Sequence, residues 1–434
     1  MSTLITFGQT WALVQDAVRR ARFPEGSEIW FLRGLTGRIL VYLEEKKKEE
    51  KEIPEPTRQR LQPLLEILKS ELGAHAYSPD RAVISLTREE LEALRPEAII
   101  HEVDGVRLYL VDREMTARRW ATISDLPGPR RFVFFALKGG LGRSTTVAVL
   151  AAHLAKEGER VLVMDFDLES PSLSSMLSPE ELPEFGIVEW LVEDLVDQAD
   201  SLLPDMVGHP SWSTKFSGEV MVVPACGKVC QEYLAQLGRA YRDKPPAKLG
   251  DVPEIWVARI QRLVKRLEAY TEPTVVLLDS RNGLHDAAAA LITSLQAQVL
   301  LFAVNSEPTW AGYRMLFQHW AQNQVIRQIR ERLWLVAALI PPPDLDRDRN
   351  YLPRFREQAW ELFREWLYDE EPSGEEEPFS YAPEDESAPH YPLPIYWQRG
   401  LLAIPSLRSL NFDEISPGAY GEFLSQFDQR LLGR

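Results

Sequence analysis

The sequence predicts an α/β protein: a doubly wound, mainly parallel sheet preceded by a smaller N-terminal α+β domain. Three observations predict it. From residue 131 on, short continuous apolar runs alternate with helical patterns. The first of these runs ends in a glycine-rich turn that opens a helix, ALKGGLGRSTTVAVL. Two later runs end in carboxylates, VLVMDFD and TVVLLDS. Uninterrupted apolar strands are buried on both faces, as in parallel sheets covered by helices, and ligands of such sheets bind at the carboxyl ends of the strands.

The expected strands of the large domain are FVFFAL (132–137), RVLVMDFD (160–167), EVMVVPA (219–225), TVVLLDS (274–280), QVLLFAV (298–304), WLVAALI (334–340) and LLAIPSL (401–407). Before them, residues 1–127 read as an α+β domain, a sensor or interaction module. WALVQDAVRRARF is helical, SEIWFLRG and GRILVYLEE are strands, and EEKKKEEKEIPEP is an exposed mixed-charge loop. RQRLQPLLEILKSEL is an amphipathic helix despite Pro63. Thr87 and Glu90 have capping-box spacing, and Asp104-Gly105 suits a two-residue hairpin turn between AIIHEV and VRLYLVDR. ISDLPGPR (123–130) has linker composition, so the large domain is expected over 128–434. Within it an acidic, solvated or disordered insertion is expected at about 342–395, whose core, 369–386, holds nine acids, three prolines and no base.

Composition excludes several classes. With 45% hydrophobic residues in 434 the chain can bury large cores and is not globally disordered. No apolar run reaches the ~18 residues of a membrane helix, and the first residues do not read as a secretory signal. Two cysteines, Cys226 and Cys230, give no disulfide framework, so a cytoplasmic protein is expected. The net charge is −16: residues 1–127 carry 19 basic and 21 acidic residues (−2), leaving 30 and 44 (−14) for the remainder. Such a balance does not indicate general nucleic-acid binding, which rests on phosphate neutralisation by Lys and Arg.

The glycine-rich turn follows a buried strand and opens a helix, the context of a phosphate-binding loop. Gly139, Gly140 and Gly142 let the backbone N–H groups of residues 139–145, those of Leu141 and Thr145 included, turn toward phosphate oxygens, and the helix dipole adds to them. Ser144 is placed to ligate Mg²⁺. The strict pattern GxxxxGK[ST] is broken at Ala136 and at Arg143, which replaces the lysine. A guanidinium is planar and bidentate where an ammonium is a point charge, so Arg143 is expected to clamp phosphates electrostatically beside Lys138. Asp165 and Asp167 end one strand, suited to metal support and to orienting a water. Asp279 ends another and is followed by Gly283, a carboxylate for metal and an N–H for a γ-phosphate.

Residues 131–340 resemble the ParA/MinD family of deviant Walker A P-loop NTPases, whose loop reads KGGxGK[ST]. The resemblance is closer to a bacterial variant group of signalling and conflict-type NTPases with KGGxGR[ST], DxDLExPxL and DSRxG; this chain has KGGLGRST, DFDLESPSL and DSRNG. It implies that Lys138 is the signature lysine, reaching across a face-to-face homodimer to the partner's phosphates. It also implies that Asp167 is the catalytic member of the DxD pair, that Asp279 and Gly283 form the switch-II DxxxG, and that Arg143 is the ordinary residue of its group. ATP and Mg²⁺ are the implied ligands, and slow hydrolysis driving a dimerisation switch that regulates a partner protein is the implied function. The alternatives are a scaffold that holds nucleotide without hydrolysis and an ATPase that positions cargo on DNA or membrane. Arg281 is either a further phosphate contact or paired with an acid such as Asp286. Arg259, Arg262, Lys265 and Arg266 read as a solvated helix face, and Tyr420, Phe423, Leu424, Phe427 and Leu431 as the core-facing side of a C-terminal helix capped at Ser416.

Overall fold

The computed structural model describes residues 5–34, 36–45, 55–95, 98–112, 120, 123–124, 126–171, 173–177, 182–228, 232–246, 253–342, 346, 350–369, 378–398 and 416–434. The chain divides into two compact units, Met1–Arg118 and Arg119–Arg434. The division falls ahead of the Pro/Gly stretch 123–130, because Trp120, Ile123 and Leu126 pack into the second unit. Arg131, buried on Glu268 at 2.6 Å, also binds the Leu126 carbonyl.

The first unit holds strands β1 (Glu28–Arg33), β2 (Ile39–Glu45), β3 (Val83–Thr87), β4 (Ile99–Val103) and β5 (Val106–Asp112), in the order β3-β2-β1-β5-β4. Helices α1 (Thr10–Ala21) and α2 (Glu55–Leu72) bury Val14, Ala17, Val18, Leu61, Leu64 and Leu68 against one face. Asp104 and Gly105 have φ of 49° and 76°, the left-handed pair that a tight β4–β5 turn needs. The box before α3 (Arg88–Leu94) is closed: Glu90 N–H donates to Thr87 Oγ1 at 3.2 Å and Thr87 N–H to Glu90 Oε2 at 2.8 Å. Strand β3 was not legible in the sequence; half-exposed along its length, VISLT has no continuous apolar run. The mixed-charge segment 46–54 lies outside the described residues.

The second unit is built on seven strands: β6 (Arg130–Ala136), β7 (Arg160–Asp165), β8 (Glu219–Val223), β9 (Val275–Asp279), β10 (Gln298–Ala303), β11 (Leu333–Ile340) and β12 (Leu393–Tyr396). Their order is β12-β11-β10-β6-β9-β7-β8, and each neighbouring pair is parallel. The connections contain α4 (Arg143–Lys156), α5 (Leu173–Leu177), α6 (Ile187–Asp194), α7 (Tyr233–Ala240), α8 (Trp256–Thr271), α9 (Asp286–Ser294), α10 (Glu307–Gln322), α11 (Ile326–Ile329) and α12 (Tyr351–Trp366), and α13 (Gly421–Phe427) follows β12. Alternation along each strand divides the apolar runs between two cores. Val133, Phe135, Leu162, Met164, Val276 and Leu278 face α6 to α12. Phe132, Phe134, Val161, Val163, Val275 and Leu277 face α4, α5 and α13. Among the described residues no helix is long and apolar enough to cross a membrane.

The expected strand 401–407 lies outside the described residues, and the sheet edge is formed by β12, whose LPIY is short and carries Pro394. Two further expectations are corrected in part. The basic side of α8 is solvated only at Lys265 and Arg266: Arg259 is fully buried, its Nε 2.7 Å from Asp194, and Arg262 reaches Asp194 and Glu254 at 2.9 and 2.7 Å. The described parts of the acidic insertion are solvated at acids such as Glu384 and Glu386 but packed around apolar residues. Phe355, Leu362 and Phe363 of α12 are buried, and Tyr368, Phe379 and Tyr381 surround a region that includes the fully buried His390. The nearby acid stretch 370–377 lies outside the described residues. The C-terminal helix does pack into the core through Tyr420, Phe423, Leu424 and Phe427.

His390 sets a pH dependence. Its Nε2 donates to the Pro383 carbonyl at 3.2 Å, and in the neutral ring Nδ1 accepts from the Tyr368 hydroxyl at 2.5 Å. Burial pushes its pKa below the ordinary 6.5, against the opposing pull of Asp385. The unfolded chain therefore binds the proton more readily, and stability falls as pH drops through 6.5 toward the folded value. The expected slope contribution is up to about 1.4 kcal/mol per pH unit. Urea unfolding at about pH 5.5 and about pH 7.5 measures it; His390→Gln is expected to flatten the difference.

Candidate functional site

The three sequence motifs meet on three adjacent strands. β6, β9 and β7 are consecutive in the sheet, and their C-terminal ends carry the glycine loop, Asp279 and Asp165. Asp165 and Asp279 are register partners, so their Cα atoms lie side by side at the sheet edge. The pairing continues past the strands: Phe166 N–H donates to the Asp279 carbonyl at 2.9 Å, and Gly283 N–H to the Ala136 carbonyl at 2.9 Å. The segment after β9 is thereby fastened across the start of the glycine loop.

The loop needs glycine at defined places. Gly140 and Gly142 both have φ of 78°, a left-handed backbone that side chains resist. Gly142 caps α4, its carbonyl accepting from Thr146 N–H and Thr146 Oγ1, each at 2.8 Å. A Cβ on Gly139 would sit 3.4 Å from Asn282 Nδ2. The Leu141 side chain belongs to the core beneath α4, which leaves only its backbone for a ligand. Ser144 and Thr145 are half-buried in the first turn of α4. Lys138 is exposed, with no hydrogen bond or ion pair among the described residues.

Arg143 is the centre of the site, with a placement the sequence did not foretell. It is 5% exposed. Its Nε donates to Asp279 Oδ1 at 2.5 Å, its Nη2 to Asp167 Oδ2 at 2.9 Å and its Nη1 to Asn282 Oδ1 at 2.8 Å. All three edges of the guanidinium are thus held by the carboxylates and switch segment expected to serve metal and water. The Asp167 carboxyl sits above its ordinary pKa because burial outweighs the attraction of Arg143. Asp165 is fully buried and accepts from Asp167 N–H at 3.2 Å.

Sequence reasoning missed Asn282 and Glu169, although both lie inside the quoted strings DSRNG and DFDLESPSL. Arg281 pairs with Glu169 Oε1 at 2.5 Å, not with Asp286. The same oxygen accepts from Tyr241 OH at 2.5 Å, and His285 Nε2 lies 3.7 Å away. Nothing in the sequence marked Tyr241, which follows α7 and is brought in by the fold. Tyr420, from the segment before α13, brings its hydroxyl 3.4 Å from Thr146 Oγ1.

The residues present fit a divalent cation with nucleotide. Asp279 Oδ2 is buried with no hydrogen-bond partner, and Ser144 opens the helix beside the loop. Mg²⁺ takes one or two protein carboxylates and completes its shell with water and phosphate oxygens. It therefore does not require the groups of three or more His, Cys, Asp or Glu, none of which is found among the described residues.

A family model described as NUBPL iron-transfer P-loop NTPase, of the ParA group, matches residues 130–204, the stretch from β6 through the loop and the DxD segment. The chain carries a ParA/MinD-like P-loop NTPase domain. An iron-sulfur cluster carrier protein of Pseudomonas fragi is 28% identical over 190 residues, 42% of this chain and 66% of the relative. The septum site-determining protein MinD of Helicobacter pylori is 35% identical over 68 residues, 16% of this chain and 25% of the relative. The chain thus spans less than two thirds of either curated relative. A solved ParA family ATPase from Chlorobium tepidum aligns at 15% identity with a TM-score of 0.43, covering 69% of this chain and 96% of that one. Outside the ParA/MinD-like domain stands the separate mixed sheet of the first unit.

Proposed function

We propose that the ParA/MinD-like domain binds a nucleoside triphosphate, ATP first, together with Mg²⁺, and hydrolyses it slowly as a dimerisation switch in the cytoplasm. The observation that carries this is the convergence of the glycine loop, Asp165 and Asp279 on three adjacent strand ends, with Arg143 buried between the carboxylates. Residues 139–145 supply backbone N–H groups to the phosphates, and Gly283 would add one to the γ-phosphate on leaving the Ala136 carbonyl that its N–H holds at 2.9 Å. Ser144, Asp165 and Asp279 would hold the cation, which neutralises charge on the β- and γ-phosphates. Asp167 orients the attacking water. Lys138, exposed on the loop, is free to reach the phosphates of a second copy, and residues 1–127 engage a partner protein.

Arg143 gives this site its own loading step. In this structure the guanidinium pairs with Asp167 and Asp279. Polyphosphate competes with those carboxylates for it, since Arg–phosphate and Arg–carboxylate pairs are alike in strength and geometry. Loading therefore trades one set of charge-assisted bonds for another, releasing the acids to cation and water as Arg143 turns to phosphate.

The pairing of Arg143 with Asp167 also favours a second reading, a scaffold that holds nucleotide without turnover because Asp167 stays engaged. Steady-state ATP and GTP turnover, with light scattering to follow association, separates the two. Slow turnover with nucleotide-dependent dimers is expected; tight binding without turnover would establish the scaffold, and absence of binding would sink both.

A further inference from the structure

We propose that Arg281 is the residue by which this site tells a triphosphate from a diphosphate, and that Glu169 is the counter-ion that stores it in the nucleotide-free chain. The proposal rests on the nucleotide-binding reading above and adds a specificity determinant to it.

Arg281 stands between Ser280, whose Oγ donates to the Phe134 carbonyl at 2.8 Å, and Asn282, which touches both Arg143 and the space beside Gly139. Its backbone is therefore pinned against the phosphate loop. Its side chain is one-third exposed and is drawn to Glu169, two residues beyond Asp167. The holding site is underused. Glu169 Oε1 takes both Arg281 and Tyr241, while Oε2 is buried with no hydrogen-bond partner. An Arg–carboxylate pair is strongest when bidentate, and leaving a buried carboxylate oxygen bare carries a penalty. The pair is thus one that a better anion displaces.

Tyr241 makes the store reusable. Burial, and then Glu169, push its phenol well above the ordinary range, so it remains a donor. It rests on Trp256 and edge-on against His285, with ring centroids 5.4 and 5.2 Å apart. When Arg281 leaves, Glu169 keeps the tyrosine bond, and His285 Nε2 stands 3.7 Å from the same oxygen as a further N–H donor, its Nδ1 accepting from Ala287 N–H. A γ-phosphate brings the extra negative charge that competes with Glu169 for Arg281, on a segment held at the loop by the Gly283 N–H bond to the Ala136 carbonyl. A β-phosphate alone lies one phosphate deeper in the loop and leaves Arg281 on Glu169.

Equilibrium binding of fluorescent ATP and ADP analogues with Mg²⁺ tests this on the full chain, for wild type, Arg281→Gln and Glu169→Gln. Loss of one charge-assisted phosphate contact is expected to weaken ATP binding about tenfold in Arg281→Gln and to leave ADP nearly unchanged. Glu169→Gln keeps an acceptor for Tyr241 and is expected to raise the ATP-over-ADP preference. The double variant is expected to match Arg281→Gln. Equal loss of both nucleotides in Arg281→Gln, or a Glu169→Gln variant with unchanged preference, overturns the assignment while leaving nucleotide binding intact. A wild-type chain that binds neither nucleotide removes the assignment together with the reading beneath it.

Discussion

Arg143→Met is expected to destabilise the second unit by about 3–5 kcal/mol, the cost of leaving buried charge without its partner. Methionine keeps much of the alkyl stem, so the loss reports charge more than volume. Without the guanidinium, Asp279 and Asp165 are fully buried and side by side, and Asp167 is 5% exposed beside them. Protonation is the available relief, and Asp167 already holds its proton more tightly than a free carboxyl because of burial. The deficit is therefore expected to shrink at acid pH. Urea unfolding of Arg143→Met beside Arg143→Met/Asp279→Asn measures the effect. The double variant should recover much of the stability, and a single variant as stable as wild type would show that the guanidinium is not the counter-ion of this edge.

Asp167→Asn is expected to lower nucleotide turnover about 10²- to 10⁴-fold, the usual contribution of a group that positions or activates the attacking water. The Arg143 contact adds a sign that separates roles. Asp167 holds one edge of Arg143 at 2.9 Å. An asparagine holds it less strongly, so Arg143 moves to phosphate more readily and nucleotide affinity rises as turnover falls. If Asp167 served only as a tether for Arg143, affinity would rise with turnover unchanged. Single-turnover hydrolysis alongside binding isotherms distinguishes these outcomes.

The sequence carried most of this site because strand ends and glycines obey local rules. FVFFAL, RVLVMD and TVVLLD announced themselves by continuous apolar character, and a parallel sheet places such ends on one edge. Gly140 and Gly142 were required by backbone conformation, which no tertiary contact changes. Side-chain partners were less legible. Nothing local says whether the Arg143 guanidinium points to a loop or to two carboxylates, or that Arg281 prefers Glu169 to Asp286, because those choices depend on strands 24 to 136 residues apart. Arg259 misled for the same reason. Helical spacing gave it three basic neighbours, but Asp194 of α6 drew it inward. β12 escaped notice because LPIY carries a proline and only four residues, features tolerated at a sheet edge.

The position of β6 bears on how the chain is made. It begins the second unit, yet its sheet neighbours are β9 and β10, which start at Val275 and Gln298. At ~5–20 residues per second of synthesis, FVFFA is on the chain for roughly 7–30 s before β9 exists to pair with it. The first unit has its own core and can close before that interval begins. A nascent chain in this window pairs a finished small domain with an unpartnered, strongly apolar strand, the condition under which contact with chaperones or with other nascent strands is most consequential. Slowing translation between residues 137 and 274 is thus expected to lower the yield of folded protein, while a pause after residue 303 should not.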